Sequence, residues 1–313
     1  MKKTFLSKYK PLNLNDFIMD STLYTIFRHL IDLDNLNLLL IGDSGTGKST
    51  LTKILIKEYF NFNVSNDNIL YINSLKEQGI QYYRTDFKYF CQTTCTIPNK
   101  KKIVIIDDID VFNEQIQQIF INFIDKYKNI HFILTGNNTQ KIVEGLQSRL
   151  ITFRLQTLTN QHLLSILNKI IIQENIIISH DAIDFLLNLS NHSVRIMINY
   201  LEKFKLLNEP IDLIKIENIC TTIQFSKLQL FNSFIQEKKK QEAFQLIQYF
   251  YDNGYSYIDI LDNYFLFIKC CSLPDPLKYK IIKIICKYIC IFNQLHEHSI
   301  ELLFFTNELI MLI

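Results

Sequence analysis

Residues Gly42-Asp43-Ser44-Gly45-Thr46-Gly47-Lys48-Ser49 fill every fixed position of the pattern G-x-x-x-x-G-K-[ST], directly behind the apolar run Leu38-Leu39-Leu40-Ile41. No other stretch restricts the fold as much, because such a loop works between a buried strand and the first turn of a helix. Its glycines let successive backbone N–H groups turn inward around phosphate oxygens, and the following helix presents its positive end to the same anion. Leu51, Ile54 and Leu55 continue at helical spacing. The pattern predicts a nucleoside triphosphate site in which residues 42–47 cradle the phosphates and Lys48 reaches the β- and γ-phosphates. Ser49 would stand on Mg²⁺, with Thr50 beside it at the helix start.

A second run, Ile103-Val104-Ile105-Ile106, ends in Asp107-Asp108. A buried strand of that form delivers acids to its C-terminal end, which is where ligands bind in an open α/β sheet. Asp107 would hold Mg²⁺ and Asp108 would orient the water that attacks the γ-phosphate. Phe132-Ile133-Leu134 leads to Thr135-Gly136-Asn137-Asn138. An amide at Asn137 suits either the γ-phosphate or a turn.

Short apolar runs at 36–41, 69–72, 103–106, 132–134 and 151–153 alternate with helical patterns, the signature of a parallel sheet covered on both faces. From 156 the pattern turns helical: three helices fit before about 222, and a further helical module is punctuated by Asn253-Gly254 and Pro274-Asp275-Pro276. The expectation is therefore three parts: an α/β nucleotide-binding domain at 1–155, a helical lid at 156–222 and a helical collar at 223–313. The net charge of +2 on 313 residues excludes a strongly basic, freely acting nucleic-acid binder and leaves room for a local patch. No export signal is expected, since Ser7, Lys8 and Lys10 interrupt the opening apolar residues. The apolar stretches 279–292 and 300–313 are too short to span a bilayer. The seven cysteines lack zinc-site spacing and read as reduced core thiols.

Several spaced segments resemble one family. Lys8-Tyr9-Lys10-Pro11 with Leu14-Asn15-Asp16-Phe17 resembles the K-Y-R-P box of replication factor C small subunits, the AAA+ ATPases of the clamp loader. Ile72-Asn73-Ser74, Glu77, Gly79-Ile80 and Arg84 resemble its L-N-A-S-D-E-R-G-I-x-x-V-R segment, and Asp107-Asp108-Ile109-Asp110 stands where it has D-E-A-D. Leu134-Thr135-Gly136-Asn137 and the run from Lys141 to Arg149 follow L-A-C-N-x-x-x-K-I-I-E-P-L-Q-S-R-C. Val194-Arg195 with Asn199 resembles the sensor-2 segment, and Gly254-Tyr255-Ser256-Tyr257-Ile258-Asp259-Ile260 resembles part of the collar.

The resemblance implies an AAA+ α/β domain with helical lid and collar, and an intracellular ATPase active only once assembled. It implies a hetero-oligomer, a pentamer in this family, that loads a sliding clamp onto primer–template DNA. Tyr9 and Pro11 would lie over the adenine of ATP, Asn137 would be sensor 1 and Arg195 sensor 2. Arg149 would act in trans, as the arginine finger for the neighbour's nucleotide. Arg84 and Lys88, four apart on a predicted helix, would track DNA phosphates or simply form a solvated face. The chain departs from the family at Asp108, where glutamate is usual, at Phe120-Ile121-Asn122 in place of L-R-R, and at His192-Ser193 in place of Gly-Asp. These departures leave two alternatives: a subunit that holds ATP with little hydrolysis, or another AAA+ DNA-remodelling ATPase.

Overall fold

Five runs rich in Ile, Leu and Val form strands β1 (Leu38–Ile41), β2 (Ile69–Asn73), β3 (Lys102–Asp107), β4 (Ile130–Gly136) and β5 (Ile151–Arg154) in a computed structural model. The structure describes residues 4–73, 85–190, 192–220, 223, 225–271, 273–294 and 298–312. Every pairing is parallel, in the order β2-β3-β4-β1-β5. A parallel sheet must be covered on both faces, and its pleat sorts the side chains accordingly. Leu39, Ile41, Val104, Ile106, Phe132 and Leu134 pack into one cluster. Leu38, Leu40, Ile103, Ile105 and Ile133 pack into the other. Helices α1 (Ser21–Asp32) and α2 (Lys48–Tyr59) cover the second face through Phe27, Leu51, Ile54 and Leu55. Helices α3 (Asp86–Gln92), α4 (Glu114–Lys126) and α5 (Glu144–Gln147) cover the first through Phe87, Phe120, Ile124 and Leu146.

Each predicted strand is present, with shifted ends. β4 runs beyond 132–134 at both ends, because the buried polar residues His131 and Thr135 join the ladder. β1 begins two residues later than the apolar run. There the Asn37 side chain accepts from Phe132 N–H at 3.0 Å, and Leu36 N–H donates to His131 Nδ1 at 3.3 Å, so side chains replace ladder bonds. The register sets Ile41 opposite both Gly136 and Arg154, and Asn73 opposite Asp107. The C-terminal ends of all five strands thus share one edge.

Beyond β5 the named elements are helices: α6 (Asn160–Glu174), α7 (His180–Leu189), α8 (Val194–Leu207) and α9 (Leu213–Cys220), then α10 (Phe225–Gln236), α11 (Lys240–Asp252), α12 (Tyr257–Cys270), α13 (Asp275–Gln294) and α14 (Ser299–Leu312). The sequence predicts three helices before 222, and the structure adds α9. It follows Pro210 and a parallel bridge between Ile178 and Ile211, and it buries Ile216. The chain packs as two units, Met1–Ile170 with His192–Glu202, and Ile171–Asn191 with Lys203–Ile313.

The core of the second unit interleaves Ile and Leu with packed aromatic rings. Phe231 and Phe305 meet the Tyr264 ring edge to face, at 5.4 and 6.0 Å. Gly254, at φ +86°, turns the chain between α11 and α12, and Ser256 with Asp259 forms a capping box on α12. Cys286 and Cys290 depart from the core-thiol expectation: they lie exposed on α13, because Ile281, Ile284, Ile285 and Tyr288 take its buried face. Among the described residues no helix is long and apolar enough to cross a membrane.

Candidate nucleotide site

The phosphate loop leaves the end of β1 and enters α2 at Lys48. Gly47 stands at the helix N-cap with φ +97°, where a side chain would be strained and would also meet the Phe17 ring at 2.9 Å. Gly45, at φ +90°, lies so close to Ser193 that an added Cβ would fall 2.9 Å from its hydroxyl. Within the loop, the Thr46 hydroxyl donates to Asp43 O at 2.9 Å, and Thr50 N–H donates to Gly47 O at 2.9 Å. The Lys48 ammonium is buried and donates to Gly42 O at 2.6 Å, Asp43 O at 2.9 Å and Asn137 Oδ1 at 2.8 Å. Burial lowers its pKa, opposed by the charges of Asp108, Asp110, Asp107 and Asp43.

β3 carries Asp107 to the same edge. Its carboxylate accepts from the Thr135 hydroxyl, from Tyr71 Oη at 2.7 Å and from Ser49 Oγ at 3.5 Å. Asp108 adopts a left-handed backbone, φ +53°, with its N–H donating to Thr135 Oγ1 at 3.1 Å. Its Oδ1 accepts from Asn137 Nδ2 at 3.4 Å. Burial, then Asp107 and Asp110, push the Asp108 carboxyl above the usual carboxylate range, with Lys48 and Asn137 opposing. The expected residues Lys48, Ser49, Asp107, Asp108 and Asn137 are therefore joined through one hydrogen-bonded group. Beside them opens a cleft of about 450 Å³, lined by Gly42, Asp43, Asn137, Thr139, Arg154 and Gln156.

The donor set suits a nucleotide with Mg²⁺. Ser49 and Asp107 offer hard oxygens close together; among the described residues Lys48 has only neutral oxygens as acceptors, and one buried oxygen of Asp110 has no hydrogen-bond partner. Tyr9 ends the helical turn Phe5–Lys8, its ring 5.7 Å from Phe5, and Pro11 follows half-buried. The Lys10 ammonium is held below its usual pKa by burial and by the charges of Lys53, Lys57 and Arg195, which brings this box and the exposed Arg195 on the first turn of α8 into one neighbourhood. Ser44 completes the loop, half to fully exposed like its neighbours.

Arg149 sits apart from this group. Its Nε donates to both carboxylate oxygens of Asp125 on α4, at 2.8 and 2.9 Å, and its Nη1 donates to Gly145 O at 3.0 Å. Lys88 is exposed on α3, while Arg84 lies outside the described residues. Of the residues standing for the family's basic pair, Ile121 is buried with its side chain pressed on Gly145, and Asn122 is exposed.

Sequence reasoning missed Tyr71, Thr135, Arg154 and Gln117. Thr135 was within reach of a register argument: Ile106 pairs with Leu134, so the next position on β4 faces Asp107. Gln117 is fully buried, its Nε2 donating to Ile109 O at 3.3 Å, Phe112 O at 3.0 Å and Lys141 O at 2.9 Å, and its Oε1 accepting from Val143 N–H at 2.9 Å. It ties the turn beyond the acids to the segment leading to Arg149.

The parallel sheet, the phosphate loop and the acids behind β3 define an AAA+-type P-loop fold. An AAA domain family matches residues 34–164. Solved structures of Thermotoga maritima RuvB share the fold, one at 15% identity with a TM-score of 0.54 over 74% of this chain and 81% of that one. Among curated proteins, one assigned as a replication factor C small subunit in Acanthamoeba polyphaga mimivirus is 27% identical over 90% of this chain and 88% of its own length. The replication factor C small subunit of Methanococcus vannielii is 25% identical over 91% of each. Human replication factor C subunit 5 is 30% identical over 63% of this chain and 59% of its own. These curated relatives, viral, archaeal and human, all carry the name replication factor C.

Proposed function

We propose that this chain is an ATP-hydrolysing small subunit of a clamp loader, working in a hetero-oligomer that places a sliding clamp on primer–template DNA inside the cell. The observation carrying this reading is the join between Lys48 and Asn137, which links the phosphate loop to the end of β4 beside Asp108. In this reading residues 42–47 bind the phosphates through backbone N–H groups, while Tyr9 and Pro11 lie over the base. Lys48 exchanges its loop carbonyls for phosphate oxygens, and Arg195 adds a second cation. Ser49 and Asp107 hold Mg²⁺, which when bound neutralises charge on the phosphates. Asp108 and Asn137 orient the attacking water, and Arg149 serves the neighbour's nucleotide. Residues 1–155 form the nucleotide domain, 156–222 the lid and 223–313 the collar.

Lys48→Ala should abolish tight binding of a fluorescent ATP analogue, since it removes the one side-chain cation of the loop. Unchanged affinity would overturn the site. A second reading, a subunit that holds ATP without hydrolysing it, is favoured by the shortened reach of Asp108. Asp108→Asn in this chain alone, within the reconstituted complex, separates the two: a working site loses its share of turnover and a holding site loses none.

A further inference from the structure

The grip on Arg149 has a particular geometry. Asp125 does not meet the guanidinium end on, as a competing anion would. Both of its oxygens take the single Nε–H, at 2.8 and 2.9 Å, and Gly145 O takes one Nη1 proton at 3.0 Å. Arg149 carries five N–H donors in a rigid fork, so the remaining Nη1 and Nη2 protons form an edge that has no partner among the described residues. That edge is the one that matches phosphate oxygens bidentately. Both side chains are partly exposed, at 36% and 46%, so the pair needs no rearrangement to meet another chain. Asp125 belongs to the last turn of α4, and Ile121 one turn earlier presses on Gly145. The carboxylate, the carbonyl and the arginine are thus set by one rigid contact between α4 and α5.

Resting on the reading of Arg149 as the residue that serves a neighbour's nucleotide, we propose that Asp125 is its positioning residue, fixing the guanidinium from the Nε side so that its free edge faces the partner's phosphates. An arginine tethered only by its aliphatic stem samples many rotamers, and a misplacement of about 1 Å can cost up to roughly a hundredfold in rate. Asp125 removes that freedom without occupying the edge that acts. It touches no reacting atom, so its effect must pass through Arg149.

The test is a double-substitution cycle on ATP turnover by the complex assembled with its partner subunits. Asp125→Asn should lower kcat by about tenfold to a hundredfold with KM for ATP unchanged. Asp125→Glu should recover part of the loss, which a purely structural role for α4 would not produce. In the Arg149→Ala background, Asp125→Asn should change nothing further. If Arg149→Ala lowers turnover while Asp125→Asn does not, or if the two losses multiply, the positioning role is overturned and the trans reading stands. Full turnover with Arg149→Ala overturns the trans reading and the positioning role together.

Discussion

Asp34 shows how one residue fastens the end of the sheet opposite the nucleotide. Set in a left-handed turn at φ +51°, it accepts from the Tyr59 hydroxyl at 2.5 Å, His131 Nε2 at 3.1 Å and Lys101 Nζ at 2.9 Å. Because Leu36 N–H donates to His131 Nδ1, the ring proton is on Nε2 and the His131–Asp34 contact is a neutral hydrogen bond. Burial holds the histidine pKa below its usual value. Burial also works to raise the Asp34 carboxyl, but the bonds from Tyr59, Lys101 and His131 outweigh it and hold the group at about 2. A depressed carboxylate stabilises the fold above its unfolded pKa near 3.8, and that contribution is lost as pH falls toward about 2. A histidine kept neutral adds a penalty once pH drops below about 6.5, so both effects make acid destabilising. Asp34→Asn should cost about 1 kcal/mol at pH 7, the side chain being partly solvated, and should flatten the fall in stability from about pH 5 to pH 3. Urea midpoints across that range decide it: parallel curves for both proteins would mean the carboxylate contributes no pH dependence.

Elements meet through buried polar ties, of which Gln117 on α4 is the most heavily bonded among the described residues. Replacing it with leucine keeps the volume but leaves Val143 N–H and the carbonyls of Phe112 and Lys141 without their partner. A buried unpaired donor or acceptor costs about 1–3 kcal/mol, so Gln117→Leu should lose roughly 2–4 kcal/mol with an unchanged urea m-value. A loss under about 0.5 kcal/mol would show that water replaces these bonds. The same ties mark the limit of what the sequence revealed. The strand, loop and helix around residues 38–55 were legible because apolar period and glycine placement are local. The acids after Ile106 were legible because a buried run ending in charge has little choice but a sheet edge. The Tyr71–Asp107, Thr135–Asp107 and Asp125–Arg149 bonds were not, since they join residues 36, 28 and 24 positions apart and depend on register and helix crossing. Cys286 and Cys290 were misread for a related reason: a cysteine records little about which helix face it occupies.

At the scale of the whole molecule, the net charge of +2 limits how DNA could be held on the proposed clamp-loader reading. Non-specific affinity comes mainly from phosphates neutralised by Lys and Arg, and a nearly neutral chain has few to spare. The isolated chain should therefore bind DNA weakly, with affinity emerging when several subunits align their cations along one backbone. Lys88 is a candidate for that row: it is exposed on α3, a helix anchored to the sheet by Phe87 and Cys91, so a strand could pass without disturbing the core. A lysine contacting one phosphate releases about one counterion, independent of base sequence. In the assembled complex, Lys88→Ala should weaken binding equally for unrelated primer–template sequences and reduce the slope of log affinity against log salt by about one per copy of this chain. The nucleotide site, built from β1, β3 and β4, should keep its ATP affinity in the same variant, which separates a lost phosphate contact from a damaged fold. An unaltered salt slope, with ATP binding intact, would return Lys88 to the solvated face of its helix and leave the DNA to other residues of the assembly.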